Sequence, residues 1–372
     1  VQEGHRKAII SKTRRLVVKV GTGVITTREG FLDVPQVVNL SNQLVELRNK
    51  GYEVMLVSSG AIGAGMGELG MKKRPTTLPE LQVAAAVGQS KLIGAYDDSF
   101  KTHGYHAAQI LLTREDLEDR RRYLNTSNTI ATLLKMKVIP IINENDTVSV
   151  EEIAFTDNDT LAALITNLLR AELLIILSSV DGLYRDPVHK EVIPVVEEVT
   201  KEVEHLAFKG KTNLGVGGMQ SKLQAARVAT GSGEAVIVAN GRTPNVLVNV
   251  MQGEPLGTLF LPTTRRLQGR KRWIGFTLHP RGRIYVDQGA LEALSTRGKS
   301  LLASGITHVE GNFERGDVVS LWCDKREFAR GLSNYSSVEL ERIKGQSSSH
   351  IARLLGTKPY DEVVHRDNLV LL

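Results

Sequence analysis

A single cysteine, Cys323, stands among 372 residues. No disulfide can form within the chain, and zinc sites built from cysteine pairs are excluded. Such cysteine usage fits a reducing compartment. With Asp324 and Lys325 behind it, Cys323 reads as an ordinary thiol rather than a nucleophile. No apolar run approaches the ~18 residues that cross a bilayer. The first fifteen residues are polar and basic with no apolar core, so no secretory leader is expected, and a cytoplasmic location without membrane attachment is. Three catalytic signatures are missing as well. G-x-x-x-x-G-K-[ST] fits nowhere, the nine histidines form no H-E-x-x-H, and there is no G-x-S-x-G elbow. P-loop nucleotide chemistry, zinc proteolysis and serine hydrolysis are set aside on those grounds.

What is present is ordinary globular composition: 41% apolar and 24% charged residues, which excludes a mostly disordered chain. The length suggests two or three domains. The net charge of +6 is unevenly placed. Residues 265–372 hold 18 Lys and Arg against 12 Asp and Glu, whereas 1–264 hold 29 of each. A basic C-terminal third can meet RNA or another polyanion, but an excess this small is also compatible with a plain solvated surface.

Apolar β-branched runs at RRLVVKV (14–20), YEVMLVSSG (52–60), HAAQILLT (106–113), KVIPIINEND (137–146), ELLIILSSVDGLY (172–184) and EAVIVANG (234–241) read as strands. Between them lie helical patterns at 35–50, with Val37, Val38, Leu40, Leu44, Val45 and Leu47 at roughly helical spacing, and at 81–100, 123–137, 159–170 and 219–230; a further helix opens within 60–70. This alternation predicts an α/β fold, a mainly parallel sheet sandwiched by helices. After Pro262 the pattern changes. TTRRLQGRKR (263–272) reads as a linker, and short strands at WIGF (273–276), RIYVD (283–287), HVEG (308–311), DVVSLWC (317–323) and EFARGLSNY (327–335) predict a small β-rich barrel. The expected division is therefore 1–262, a linker at 263–272, and 273–372.

Ligands of a parallel sheet sit beyond the C-terminal strand ends. Four such ends are small and polar: GTG (21–23), SSGA (58–61), NEND (143–146) and SSVDG (178–182). Strand ends are usually polar turns, but this many Gly, Ser, Asn and Asp residues at one end point to a shared site. Lys19 interrupts an apolar run just before Gly21-Thr22-Gly23, either snorkelling from an edge strand or holding a charge at the site mouth, and the backbone N–H groups of that turn can approach a phosphate closely. A second glycine-rich turn, Gly215 to Gly218, enters a helix carrying Met219, Gln220, Ser221 and Lys222. In TDNDT (156–160), Asp157 and Asp159 bracket Asn158 just before a helix, where one of them can serve as an N-cap. Gly65-Met66-Gly67-Glu68-Leu69-Gly70 matches G-x-G-x-x-G literally but does not directly follow a strand, so the dinucleotide reading is weak.

Taken together, VVKVGTG (17–23), VSSGAIGAG (57–65), AAAVGQSKL (84–92), QILLTREDLEDRRRYLN (109–125), PIINENDTV (140–148), FTDNDTLAAL (155–164) and GVGGMQSKLQAA (215–226) resemble the glutamate-phosphorylating members of the amino acid kinase family. GRKRWIGF (269–276) and GNFERGDVV (311–319) resemble the PUA domain appended to them. The likeness covers nearly the whole chain, in order. It implies ATP-dependent phosphorylation of the L-glutamate side-chain carboxylate, the first step of proline biosynthesis, with ATP and Mg²⁺ required. It further implies that Lys19 contacts the transferring phosphate, that Lys222 brings a second positive charge from the nucleotide side, and that Asp159 organises both lysines. Ser59, Asp146 and Asn158 would bind glutamate. ATP would be lined by Lys19, Gly21, Thr22, Gly23, Ser178, Ser179 and Val216, Gly217, Gly218, Met219, Gln220, Ser221 and Lys222. Some members carry Thr-Asp where Ser178 and Ser179 stand. Feedback inhibition by proline and a homo-oligomer, dimeric or tetrameric, are implied in the same way. An acceptor such as N-acetylglutamate, aspartate or carbamate, and an RNA-binding role for the PUA-like third, are the alternatives.

The chemistry suits that assignment. A side-chain carboxylate is already ionised at neutral pH and needs no general base. The obstacle is bringing an anion to an anionic phosphate, which positioned cations relieve.

Overall fold

The computed structural model describes residues 2–149, 158–186, 188–208, 218–263, 271, 273–357 and 359–372. The chain divides into two compact units, Val1–Arg266 and Leu267–Leu372. Most of the stretch expected to link them, 263–272, lies outside the described residues.

The first unit opens with a helix absent from the sequence expectations, α1 (Gln2–Ile10). Arg6 fastens it. Its guanidinium is buried and donates to the carbonyls of Leu256 and Gly257, each at 2.8 Å, the hydrogen bonding that a buried charge requires. There follow β1 (Arg15–Val20), α2 (Thr22–Ile25), α3 (Val34–Asn49), β2 (Glu53–Ser58), α4 (Ala61–Glu68), α5 (Leu78–Lys101) and β3 (His106–Leu112). Next come α6 (Arg114–Glu118), α7 (Arg120–Lys135), β4 (Val138–Glu144), α8 (Asn158–Leu169) and β5 (Leu173–Ser178). The remainder is β6 (Tyr184–Asp186), β7 (Glu191–Val192), β8 (Val195–Val196), α9 (Lys201–Phe208), α10 (Met219–Gly231), β9 (Ala235–Asn240), α11 (Val246–Gln252) and β10 (Thr258–Phe260).

The main sheet runs β3-β4-β2-β1-β5-β9-β10-β8. The first six strands are mutually parallel; β10 is antiparallel to β9, and β8 is parallel to β10. Central strands are buried on both faces, so β1 and β5 read as nearly unbroken apolar runs. On α3, Val37, Leu40, Leu44, Val45 and Leu47 face the core, but Val38 is turned out to solvent by the helical step. The helix expected at 123–137 is α7, which starts three residues earlier, at Arg120, and follows directly on the short α6. Thr113 and Asp116 form a capping box for α6, and the Asp119 carboxylate, accepting from the Arg122 N–H at 2.8 Å, caps α7 afresh. Helices α4 and α5 cross at backbone distance. A Cβ on Gly65 would lie 1.8 Å from the Ala84 carbonyl oxygen, and one on Gly88 would lie 1.8 Å from that of Ala61. The G-x-G-x-x-G match sits within α4 and its C-terminal turn, where Gly65 permits the close helix packing and Gly70, at φ +62°, lies in the turn that ends the helix.

The second unit holds a five-stranded sheet, β11 (Gly282–Val286), β12 (Ile306–Gly311), β13 (Val318–Cys323), β14 (Arg326–Leu332) and β15 (Leu369–Leu371), in the order β12-β11-β13-β14-β15. All neighbours are antiparallel except β11 and β13. Three short helices, Gln288–Ser295, Ser337–Ile343 and Ile351–Leu355, were not expected. WIGF (273–276) is not a strand: Trp273–Thr277 is a turn of π-helix. Gly275 rests there against Val370, and its carbonyl accepts from Arg330 Nη1 at 3.1 Å. Cys323 is buried at the end of β13, where desolvation pushes its thiol up, the environment of an inert thiol.

Candidate active site

The order of the sheet locates a crevice. The chain lays β2, β4 and β3 to one side of β1, then places β5 and β9 on the other. In an open parallel sheet the gap above such a reversal is where ligands enter. The ends named from sequence, those of β4, β2, β1 and β5, are consecutive neighbours in that order. Helices α8 and α10 begin with Asn158 and Met219, and their first turns bring Asp159 and Lys222 together.

Lys19 lies in β1 between Val57 of β2 and Ile176 of β5. It is 2% exposed, and a lone ammonium so placed would be strongly disfavoured. Its Nζ meets Asp159 Oδ1 at 2.5 Å. Lys222 Nζ meets the other oxygen, Asp159 Oδ2, at 3.0 Å. Ser221 Oγ also lies 3.0 Å from Oδ2, as donor. Asp159 is fully buried in the first turn of α8, where the helix dipole favours an anion. One carboxylate therefore gathers two ammonium groups, and these three groups together carry a formal charge of +1. A site of that kind seeks an anion with several oxygens. A Cβ on Gly21 would come within 3.6 Å of Lys19 Nζ, which places this turn directly over the cluster.

A second group of polar residues forms a chain. Asn158 Nδ2 donates to Ser59 Oγ at 3.0 Å and to Asn143 Oδ1 at 2.8 Å. Asn143 Nδ2 donates in turn to Gln89 Oε1 at 2.9 Å. Ser59 is held by its own N–H on the Val20 carbonyl at 3.1 Å. Asn143 and Gln89 are both buried. The sequence offered NEND as a block without a role for Asn143, and Gln89 was not singled out: a glutamine in AAAVGQSKL carries no local signal. Among the described residues no hydrogen bond ties Asp146 to this chain. Burial pushes its carboxyl up to about 6, against the pull of Arg74.

The rim is assembled by β1, β5 and β9. Gly21 donates its N–H to the Leu177 carbonyl at 3.1 Å. That donor is spent within the sheet. Thr22 and Gly23 open the one-turn helix α2 and are exposed. A Cβ on Gly23 would touch Ser179 at 3.7 Å, so the β1 and β5 ends face each other. Ser178 is buried and its carbonyl accepts from the Gly241 N–H at 2.9 Å, whereas Ser179 is exposed. Arg242, absent from the sequence expectations, braces this rim: Nη2 donates to the Thr26 carbonyl at 2.6 Å, and Nη1 pairs with Asp33 at 3.2 Å. Gly218 stands at the N-cap of α10, and Met219 and Gln220 lie in its first turn. Asp157, Val216 and Gly217 lie outside the described residues.

Among the described residues no three carboxylate, imidazole or thiol groups gather to hold a metal ion, and no helix is long and apolar enough to cross a membrane. Residues 14–240 match the Amino acid kinase family, and 282–355 match the PUA domain. The chain is 50% identical to the Glutamate 5-kinase of Thermoanaerobacter sp. (strain X514) over 363 residues, 96% of this chain and 98% of that protein. It is 50% identical to the Glutamate 5-kinase of Geobacter sp. (strain M21) over 372 residues, 99% of this chain and all of that protein. With that of Geobacter sulfurreducens the identity is 48%, at the same coverage. A parallel sheet with two lysines converging on one carboxylate at its switch point, and likeness of this extent, lead to one conclusion: the chain belongs to the amino acid kinase family and carries a PUA domain behind its kinase domain.

Proposed function

We propose that this protein transfers the γ-phosphoryl group of ATP to the side-chain carboxylate of L-glutamate, giving L-glutamyl 5-phosphate, the opening step of proline biosynthesis. The observation that carries the reading is the convergence of Lys19 and Lys222 on Asp159. The acceptor carboxylate attacks phosphorus, the bond from phosphorus to the β,γ-bridging oxygen breaks, and ADP leaves with that electron pair. Negative charge spreads over the phosphoryl oxygens as they pass between the two anions. Lys19 approaches from the sheet and Lys222 from α10, so the group in transit stays neutralised along its path. Asp159 is a positioning residue: it holds both ammonium groups while their environment is dry. Ser59, Asn158 and Asp146 take the amino acid. Ser178, Ser179 and the segment Val216 to Lys222 take the nucleotide, with Thr22 and Gly23 over its phosphates. The nucleotide would enter as its Mg²⁺ complex, the metal supplying positive charge to the phosphates.

The division at 1–262, 263–272 and 273–372, a cytoplasmic location, an even-numbered homo-oligomer and inhibition by proline complete this reading. ADP release measured across free glutamate, N-acetylglutamate and aspartate, with and without proline, tests it. Glutamate-dependent ATP consumption is expected, and turnover confined to another acceptor overturns it. A second role, RNA contact by the PUA domain, is favoured by one surface. The exposed Arg283 guanidinium lies 5.3 Å from the Trp322 ring, and Tyr285 lies beside it, 6.4 Å from that ring and 5.6 Å from His308, a basic-aromatic face of the kind on which bases stack. A gel shift that weakens steeply with salt supports the role, and none at low salt removes it.

A further inference from the structure

The amide chain beside the lysine cluster has a fixed direction. The backbone N–H of Glu144 donates to Asn143 Oδ1 at 2.9 Å, which settles which end of the Asn143 amide is oxygen. Asn143 Oδ1 also receives Asn158 Nδ2, and Asn143 Nδ2 is given to Gln89 Oε1. The outer ends follow of necessity: Asn158 is left with its carbonyl oxygen and Gln89 with its N–H₂. Both atoms, Asn158 Oδ1 and Gln89 Nε2, are buried and have no hydrogen-bond partner among the described residues. Gln89 is only 8% exposed. A buried amide donor left unpaired costs about 1–3 kcal/mol. One chain of three amides thus ends in one unmet acceptor and one unmet donor. An α-amino acid head group is the complement of that pair, with an ammonium to donate and a carboxylate to accept.

We infer that Gln89 contacts the substrate, donating its Nε2–H to the α-carboxylate while Asn158 Oδ1 accepts from the α-ammonium. This rests on the proposed function and adds to it the group that reads the α-carboxylate. Discrimination against acceptors in which that carboxylate is masked follows from it. The decisive variant is Gln89→Glu at pH 8. It keeps the oxygen that receives Asn143 Nδ2, so a merely bracing role survives, and it replaces the donor with an anion. The KM for L-glutamate is expected to rise about 10- to 100-fold, the effect of losing a hydrogen bond to a charged group. The kcat and the KM for MgATP should hold. Preference for L-glutamate over its α-carboxamide should shrink by a similar factor. Should glutamate at 89 unfold the chain, Gln89→Met, of equal length and uncharged, carries the same expectation. An unmoved KM, or an equal loss on both acceptors, overturns the role of Gln89 alone. Wild-type protein that consumes no ATP with glutamate overturns the proposed acceptor before any variant is made, and this inference with it.

Discussion

Replacing Asp159 with asparagine changes one oxygen for one NH₂ and should be felt twice. In the native chain the Asp159 carboxylate has an ammonium on each oxygen, at 2.5 and 3.0 Å, and all three groups are at least 95% buried. At an effective dielectric of about 20 each contact has a gross Coulomb energy of about 6 kcal/mol. Much of that offsets desolvation, and the net loss on breaking one buried pair is about 3–5 kcal/mol. Two cations share this carboxylate, so Asp159→Asn belongs near 5 kcal/mol. For a unit of this size that lowers the melting temperature by about 10–20 °C. Turnover should fall by about 10²–10³ because the lysines lose their common anchor. The two effects separate when MgATP is added. Its phosphates supply negative charge to two ammonium groups that have lost the Asp159 carboxylate, so the nucleotide should raise the melting temperature of the variant by more than it raises that of the wild type. Calorimetry of the full chain, with and without MgATP, reads both shifts. A variant that melts like the wild type, or gains no more from the nucleotide, would refute the view that Asp159 neutralises a phosphate site.

Lys19→Ala and Lys222→Ala each leave Asp159 with one ammonium; both should stay folded by circular dichroism and lose about 10²–10³ in ADP release. The Asp146 carboxyl, raised to about 6 by burial, holds its proton in the folded state over a range where the unfolded chain has lost it. Its contribution to stability therefore declines as pH rises from about 4 to about 6 and is level above that. If Asp146 receives the substrate ammonium, kcat/KM for glutamate climbs across the same window and flattens in Asp146→Asn, which a pH profile checks. Gly88→Ala drives a methyl to 1.8 Å from the Ala61 carbonyl and 2.2 Å from the Gly65 nitrogen, both backbone atoms. A loss of about 1–3 kcal/mol or more in urea unfolding is expected, whereas Gly94→Ala on the same helix, with nothing within 4 Å, should gain up to about 1 kcal/mol.

Legibility of the fold followed burial. Strands β1, β2, β4 and β5 are covered on both faces, and their β-branched runs stand out at once. The last two strands of the sheet, β10 and the edge strand β8, of three and two residues, are too short to leave a pattern. Trp273 to Phe276 misled because four apolar residues in a row look the same in a buried strand and in a buried helical turn. Only its neighbours, Val370 and Arg330, decide between them, and neither is near in sequence. Arg6 shows the same limit from the other side. A basic residue in a polar leader has no mark that distinguishes it from its solvated neighbours, yet it holds α1 to the carbonyls before β10.

The site divides along the same line. Lys19 was visible because a charge inside an apolar strand must be compensated somewhere; the sequence states the need without naming the partner. Lys222 was visible for its place after a glycine turn. That both answer to Asp159 came from the resemblance, and 63 residues separate even the nearer pair. Topology closes that distance: the reversal of strand order at β1 puts the first turns of α8 and α10 over the end of the strand that carries Lys19. Gln89 and Asn143 had no such handle. They are uncharged, and each is unremarkable in its own segment. Their meaning lies in a direction of hydrogen bonding that begins at the Glu144 N–H and leaves Gln89 with a donor that no described residue accepts. A charge announces itself in a sequence through the cost of burying it. An amide does so only when its partners are known, so specificity for the amino acid was harder to read here than the means of moving phosphate.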